Sequence, residues 1–308
     1  MSDTMESLRR NINRAGDLQS VVRTMKALAT SNIGQYEKAV SALDDYYRTV
    51  ELGLSVFFKD STPDIFYSGL KRQKKAIVIG AIVFGSDQGL VGQFNDIIAD
   101  YAVKILSALP GKAQILAVGE RVHARLEDTN LQIMELFTVP NSIKAITPLV
   151  EQILVKIETS HSQGKVSEIH IFYNLHKSRT LYEPTSQLLL PLDKIWSQEL
   201  AELPWPTKNL PEIIGESTST LQALIREYLF VSLFRACAES LASENASRLA
   251  AMQHADRNIE EMLEDLDGKY YRLRQNSIDE ELFEVFSGFE ALSHSRNSAQ
   301  YESNIYKN

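Results

Sequence analysis

The sequence predicts an α+β chain in which a long coiled-coil helix from each terminus flanks an inserted α/β domain. Three observations carry this. Residues 4 to 58 and 216 to 292 are free of proline and repeat apolar residues at coiled-coil spacing, and short buried-strand runs alternate with helical segments between them.

In the first helix a seam reads through Leu8, Ile12, Ala15, Leu18, Val22, Met25, Ala29, Ile33, Tyr36, Val40, Leu43, Tyr47, Val50, Leu54 and Phe57. Its mean step is about 3.5 residues, the heptad period rather than the 3.6 of a straight surface helix. Residues 1–58 are read as this N-terminal helix; at about 1.5 Å per residue it extends ~80 Å and needs a partner along its length. The segment KDSTPDIFYSGLKRQKK, residues 59 to 75, breaks the pattern with Pro63, Gly69 and a cluster of bases.

Residues 75–210 are read as the α/β domain. Buried-strand runs are predicted at Ala76 to Phe84, Ile115 to Val118, Ile169 to Tyr173, and as one or two strands within Leu181 to Leu192. Helices are predicted at Asn95 to Leu109, Glu120 to Glu127 and Ser142 to Ser160, an alternation that implies a largely parallel sheet. LPWPTKNLPEIIG, residues 203 to 215, closes the domain.

Residues 216–292 are read as the C-terminal coiled-coil helix, with Leu221, Leu224, Tyr228, Val231, Phe234, Ala238, Leu241, Met252, Ile259, Met262, Leu266, Tyr270 and Leu273 on one stripe, imperfect around Asn245. At ~115 Å it should overhang its mate by roughly 30 Å. The polar tail, residues 293–308, is rich in Ser and Asn and is expected to be disordered.

A net charge of -8 argues against nucleic acid as a partner. Its distribution is uneven: residues 216 to 292 hold fifteen acids against seven Lys/Arg, whereas residues 4 to 58 hold seven bases against six acids. The one cysteine, Cys237, lies in a helical apolar pattern and reads as a small buried side chain. No apolar run is long enough to span a bilayer, and the start MSDTMES resembles no targeting peptide, so the chain is expected in the cytosol or held at a membrane surface by others.

The loop GSDQGLVGQFN, residues 85 to 95, follows a strand and precedes a helix, where phosphate loops occur. The spacing of Gly85, Gly89 and Gly92 fits neither the dinucleotide fingerprint nor the lysine-bearing loop. Ser86, Asp87, Gly89 and Gly92 are therefore read as a structural loop, and no cofactor is expected. The histidines show no metal-ligand spacing, no nucleophile elbow is visible, and the acids of EEMLEDLD, residues 260 to 267, fit a solvated helix face. No catalytic residue is assigned.

Two segments invite more than a structural reading. VVRTMKALATS, residues 21 to 31, sets Arg23 and Lys26 beside Met25; in YYRLRQNSIDEELFEVFSGFEAL, residues 270 to 292, the apolar residues from Ile278 onward cover more than one stripe. A helix apolar nearly all round is normally enclosed. In the predicted overhang, that enclosure would have to come from another protein.

Four ordered motifs resemble the γ subunit of F-type ATP synthases. TMKALATS at 24 to 31 is similar to its Met-Lys motif, SDQGLVGQFN at 86 to 95 to its Ser-Asp-x-Gly-Leu-x-Gly loop, SENASRLAAM from 243 to its Ser-Glu-x-x-x-Arg-x-x-Ala-Met stretch, and RQNSIDEELFEVFSG at 274 to 288 to its C-terminal pattern. Asn32, Tyr271 and Asp279 stand where the family commonly has a basic residue, Asn and Thr, which points to a divergent or accessory form. The photosynthetic branch's cysteine-bearing insertion is missing, so thiol switching is not expected.

The resemblance implies an antiparallel coiled coil entering a hexamer of α and β subunits, with a Rossmann-like domain at the foot beside ε and the membrane c-ring. It implies a rotor that couples ion flow to ATP synthesis or hydrolysis, with catalysis on β, at the cytoplasmic side of a bacterial membrane and touching that membrane only through the complex. The matched motifs make Met25, Lys26, Arg274, Gln275, Glu281, Phe286 and Phe289 the expected rotor contacts. A coiled-coil adaptor with a ligand-binding α/β domain is the alternative from another class.

Overall fold

A computed structural model of the chain describes residues 4–60, 78–162, 166–177, 182–192, 194–209 and 211–305. Its elements run α1 (Met5–Asp60), β1 (Val78–Phe84), α2 (Phe94–Ala108), β2 (Lys112–Val118), α3 (Glu120–Glu127), β3 (Gln132–Phe137), α4 (Ile143–Ser162), β4 (Glu168–His176), β5 (Tyr182–Leu190), α5 (Lys194–Glu202) and α6 (Ser217–Ile305). Long terminal helices around an α/β insertion are thus present. Most of the predicted break at 59 to 75, and the predicted strand ends at Ala76 and Leu181, lie outside the described residues. Two compact units are distinguished, residues 25–252 and residues 1–24 with 253–308.

In the larger unit the five strands are ordered β3-β2-β1-β4-β5. β1, β2, β3 and β4 are parallel, and β5 adds an antiparallel edge to β4. Successive side chains of a strand point to opposite faces, and β1 shows it. Ile79, Ala81 and Val83 pack with Ile98 and Ala102 of α2 and Val122 and Leu126 of α3. Ile82 and Phe84 pack on the other side with Ile146, Val150 and Ile153 of α4, Leu54 of α1 and Leu233 and Cys237 of α6. The sheet is covered on both faces, as parallel sheets require.

Within this unit α1 and α6 run antiparallel. Asn32 meets Asn245, Tyr46 meets Glu227, and Gly53 lies so close to Leu224 that an added Cβ would be 3.0 Å from its Cδ2. As the number on α1 rises, its partner's number falls. Trp196 of α5 packs on Tyr228 of α6 with ring centroids 4.6 Å apart, and on Phe58 of α1. The stretch of α6 from Tyr228 to Ser247 is almost wholly buried, because α1 covers one side of it and the sheet the other.

In the smaller unit, Thr4 and Ser7 cap α1 reciprocally: Ser7 N–H donates to Thr4 Oγ1 at 3.2 Å and Thr4 N–H to Ser7 Oγ at 3.1 Å. Leu8, Ala15 and Val22 of α1 and Ile259 of α6 are buried, and Arg23 pairs with Asp256 at 3.4 Å. Two seam residues read from the sequence are corrected. Leu18 and Met262 are 53% and 51% exposed, while Gln19 and Leu263 are half-buried in their place. Alternating steps of three and four decide which position faces inward, whatever residue stands there.

Two elements escaped the sequence reading, β3 and α5. α6 continues to Ile305, through residues whose composition predicts disorder. Extending an existing helix needs no new nucleus, so poor helix formers can still follow it.

Candidate functional site

The glycine loop leaves β1 and closes on itself. Ser86 N–H donates to Asn95 Oδ1 at 2.9 Å, Asn95 Nδ2 donates back to Ser86 Oγ at 2.8 Å, and Ser86 Oγ donates to Gln88 O at 2.9 Å. Asp87 then takes the place an anion would occupy. Its Oδ1 accepts from Glu120 N–H at the start of α3 at 3.0 Å, and its Oδ2 from Val139 N–H at 2.9 Å. A helix N-terminus attracts negative charge, and here the chain supplies it.

Glycine is required at two points around this loop. A Cβ on Gly85 would lie 2.4 Å from Val122 Cβ, and Gly119, at φ 117°, would press one against Ser86 N at 2.8 Å. Gly89 is different: the nearest atom to an added Cβ is Arg121 Nη2 at 3.8 Å. Gly92 has φ 56°, and Leu90 beside it is also left-handed, at φ 62°.

Doubly wound sheets bind ligands outside the carboxyl ends of the strands where the strand order reverses. Here the reversal lies between β1 and β4, and α6 fills it. Ser243 Oγ donates to Asn174 O at the end of β4 at 2.8 Å, and Ser247 Oγ donates to Val91 O in the loop after β1. Asn174 Nδ2 in turn donates to Phe94 O at 3.1 Å. The place for a nucleotide holds a helix of the same chain.

The α6 surface beside this contact carries buried charge. Glu244 Oε1 accepts from Arg248 Nη2 at 2.6 Å, yet burial pushes its carboxyl above the usual range against the opposing pull of Arg248. Arg235 bridges Glu239 at 2.9 Å and Asp44 of α1 at 3.6 Å, and His176 Nε2 lies 3.3 Å from Glu37 Oε1. Burial, aided by Glu244, also pushes the Cys237 thiol far above its ordinary value. Among the described residues no three His, Cys, Asp or Glu side chains gather as metal ligands.

The expected contact residues fall in both units. Met25 and Lys26 are half-buried on α1 in the larger unit. Arg274, Gln275, Glu281, Phe286 and Phe289 lie on α6 in the smaller unit, all exposed. From Ile278 to Phe289 every residue is exposed, and Ile278, Leu282, Phe283, Val285, Phe286 and Phe289 lie between 47% and 73% exposed. Isolated exposed apolar residues are ordinary; six along three helical turns mark an interaction surface.

Sequence reasoning missed Asn174, Ser247 and Asn95 as anchors. A signal existed in Ser243 and Ser247: serines one turn apart inside a buried helix favour a polar partner on that face.

The sequence model of the family described as ATP synthase matches residues 4–292. The chain belongs to the ATP synthase family. The resemblance read from the four motifs is confirmed at that level. Its relatives include the ATP synthase gamma chain of Clostridium acetobutylicum, 24% identical over 289 residues, covering 92% of this chain and 97% of that one. The gamma chain of Arthrobacter sp. is 27% identical over 298 residues, covering 92% and 97%. Among solved structures, a chain of the Euglena gracilis mitochondrial ATP synthase OSCP/F1/c-ring assembly superposes with a TM-score of 0.63 at 15% identity, covering 95% of each chain. A chain of the Tetrahymena thermophila central stalk and c-ring gives 0.56 at 19% identity, covering 76% of this chain and 99% of that one. This member of the family thus has the fold of a central stalk, and no helix among its described residues is long and apolar enough to cross a membrane.

Proposed function

We infer that this chain is the central-stalk rotor, the gamma subunit, of an F-type ATP synthase. It turns inside a hexamer of α and β subunits and joins that hexamer to a c-ring and an ε subunit, so that ion flow and ATP chemistry are coupled by rotation. Membership of the family supports this, and so does the filling of the domain's ligand crevice by α6. The observation that carries the reading is the bare apolar end of α6, Ile278 to Phe289. Each such side chain gains about 1.5–3 kcal/mol when fully enclosed, and the contact is nondirectional, so it holds an axle without fixing its angle.

Arg274 and Gln275, just before the apolar end, grip carboxylates or carbonyls of a surrounding subunit directionally, with Glu281 beside them. Met25 and Lys26 meet the β subunits, Phe286 and Phe289 turn in the apolar sleeve, and the loop at Ser86 to Gly92 holds the domain in place. Catalysis belongs to the β subunits, and this chain supplies no reacting group. It is a peripheral subunit on the cytoplasmic side of a bacterial membrane, reaching that membrane through the complex.

The test is co-expression with α and β subunits. A stoichiometric complex whose ATPase activity depends on this chain is expected, and Arg274→Ala should lower coupled turnover without lowering the melting temperature of the free chain. A chain that leaves the hexamer unbound and its ATPase unchanged would exclude the rotor.

A further inference from the structure

An axle passes torque only if it cannot slip in its foot. Apart from the ion pairs at its margins and a long hydrogen bond from Gln187 Nε2 of β5 to the Tyr228 hydroxyl at 3.4 Å, α6 meets the sheet largely through Leu229, Leu233, Ala236 and their neighbours, apolar side chains whose packing has no preferred direction. The hydrogen bonds of Ser243 and Ser247 differ from that contact in kind. They leave one face of α6, one turn apart, and end on main-chain carbonyls of two different segments, Asn174 O near the end of β4 and Val91 O in the loop after β1. Asn174 Nδ2 in turn holds Phe94 O at the first residue of α2.

We propose that Ser243, Ser247 and Asn174 form the joint that fixes the angular setting of α6 in the α/β domain, so that a turn of either is passed to the other. Ser243 and Asn174 are 0% exposed and Ser247 is 9% exposed, so water cannot take the place of a broken bond. Turning α6 by one residue sweeps both buried hydroxyls away from their acceptors, so that Ser243 and Ser247 lose their bonds to Asn174 O and Val91 O, the latter keeping only Phe94 N–H at 3.3 Å. Such a loss resists rotation, whereas the apolar contact around it resists only separation. The crevice that other doubly wound domains use for a ligand has become a keyway.

This joint rests on the central-stalk reading, and its residues are positioning residues that touch no nucleotide. The experiment uses the full complex, with α, β, ε and the membrane sector, in sealed vesicles. Three forms of the chain are compared: the parent, Ser243→Ala with Ser247→Ala, and Ser243→Thr with Ser247→Thr, which keeps both hydroxyls. Three quantities are read, namely ATP hydrolysis, ions pumped per ATP, and the melting temperature of the free chain.

The alanine form should hydrolyse ATP at close to the parent rate while pumping per ATP falls about five- to ten-fold, the scale set by two neutral hydrogen bonds. The threonine form should recover most of the pumping. Equal pumping per ATP in parent and alanine forms overturns the joint and leaves the central-stalk reading standing. Hydrolysis and pumping lost together, with a lowered melting temperature and no threonine rescue, mark a merely structural contact and overturn it too. A parent chain that neither assembles nor pumps overturns the central-stalk reading, and the joint falls with it.

Discussion

Asn32 of α1 and Asn245 of α6 face each other across the seam between the two helices, Asn32 Nδ2 donating to Asn245 Oδ1 at 3.3 Å. Asn245 Nδ2 is turned back to Leu241 O at 2.8 Å, so the pair sets a polar layer among apolar ones. A buried polar layer costs stability and selects one register, since a slip would bury each amide without a partner.

Breaking the pair on one side should therefore be worse than removing it. Asn245→Leu alone is expected to cost about 1–3 kcal/mol by leaving the Asn32 amide against an apolar surface, and adding Asn32→Leu should restore most of the loss. Urea unfolding of the four members of the cycle measures the coupling. Additive effects would show that the two amides act independently.

Two glycines, Gly89 within the loop and Gly119 packed against it, should differ in tolerance. Gly119→Ala is expected to cost at least ~2 kcal/mol, because a left-handed φ of 117° and contact with the Ser86 backbone act together, whereas Gly89→Ala should stay within ~0.5 kcal/mol. Melting temperatures of the two variants make the comparison. Equal losses would place the constraint outside the backbone.

Cys237 should behave as an inert core residue. Burial pushes its thiol far above the ordinary value, so alkylation of the native chain with iodoacetamide should be negligible up to about pH 9 and become complete on unfolding in urea. Rapid native labelling would mean that α6 leaves the sheet readily.

The Glu244 carboxyl has a folded value raised above its unfolded value of 4.5, principally by burial. Folding then takes up a proton, so the contribution of this group is greatest at low pH and is lost as pH rises above 4.5 through the folded value. Relative to Glu244→Gln, which cannot titrate, the parent should lose melting temperature as pH is raised across that window. A difference between the two that stays constant with pH would show that Glu244 is ionised on both sides of folding.

The legible parts of this fold are those with a period. α1 and α6 announce themselves by heptads, and β1 by a continuous apolar run with both faces buried. β3 does not, because it is an edge strand of six residues in which only Phe137 is buried, and Glu135 and Met134 carry little strand preference. α5, nine residues long, hides between the cis-peptide turn at Pro191 and the prolines at 204 and 206.

The loop was legible as a turn because its glycine spacing fits no phosphate motif. What seals it was not, since Asp87 finds Glu120 and Val139, and Ser247 finds Val91, only once the chain has folded. Gln19 and Leu263 show the same limit on the helices: the seam follows geometry, and the nearby Leu18 and Met262 are apolar decoys.

Rotation seen directly tests the central claim. With the α and β subunits fixed to a surface and a bead on the α/β domain of this chain, ATP should drive rotation in one direction, in steps of a third of a turn. A bead that stays still while the bound complex hydrolyses ATP would contradict it.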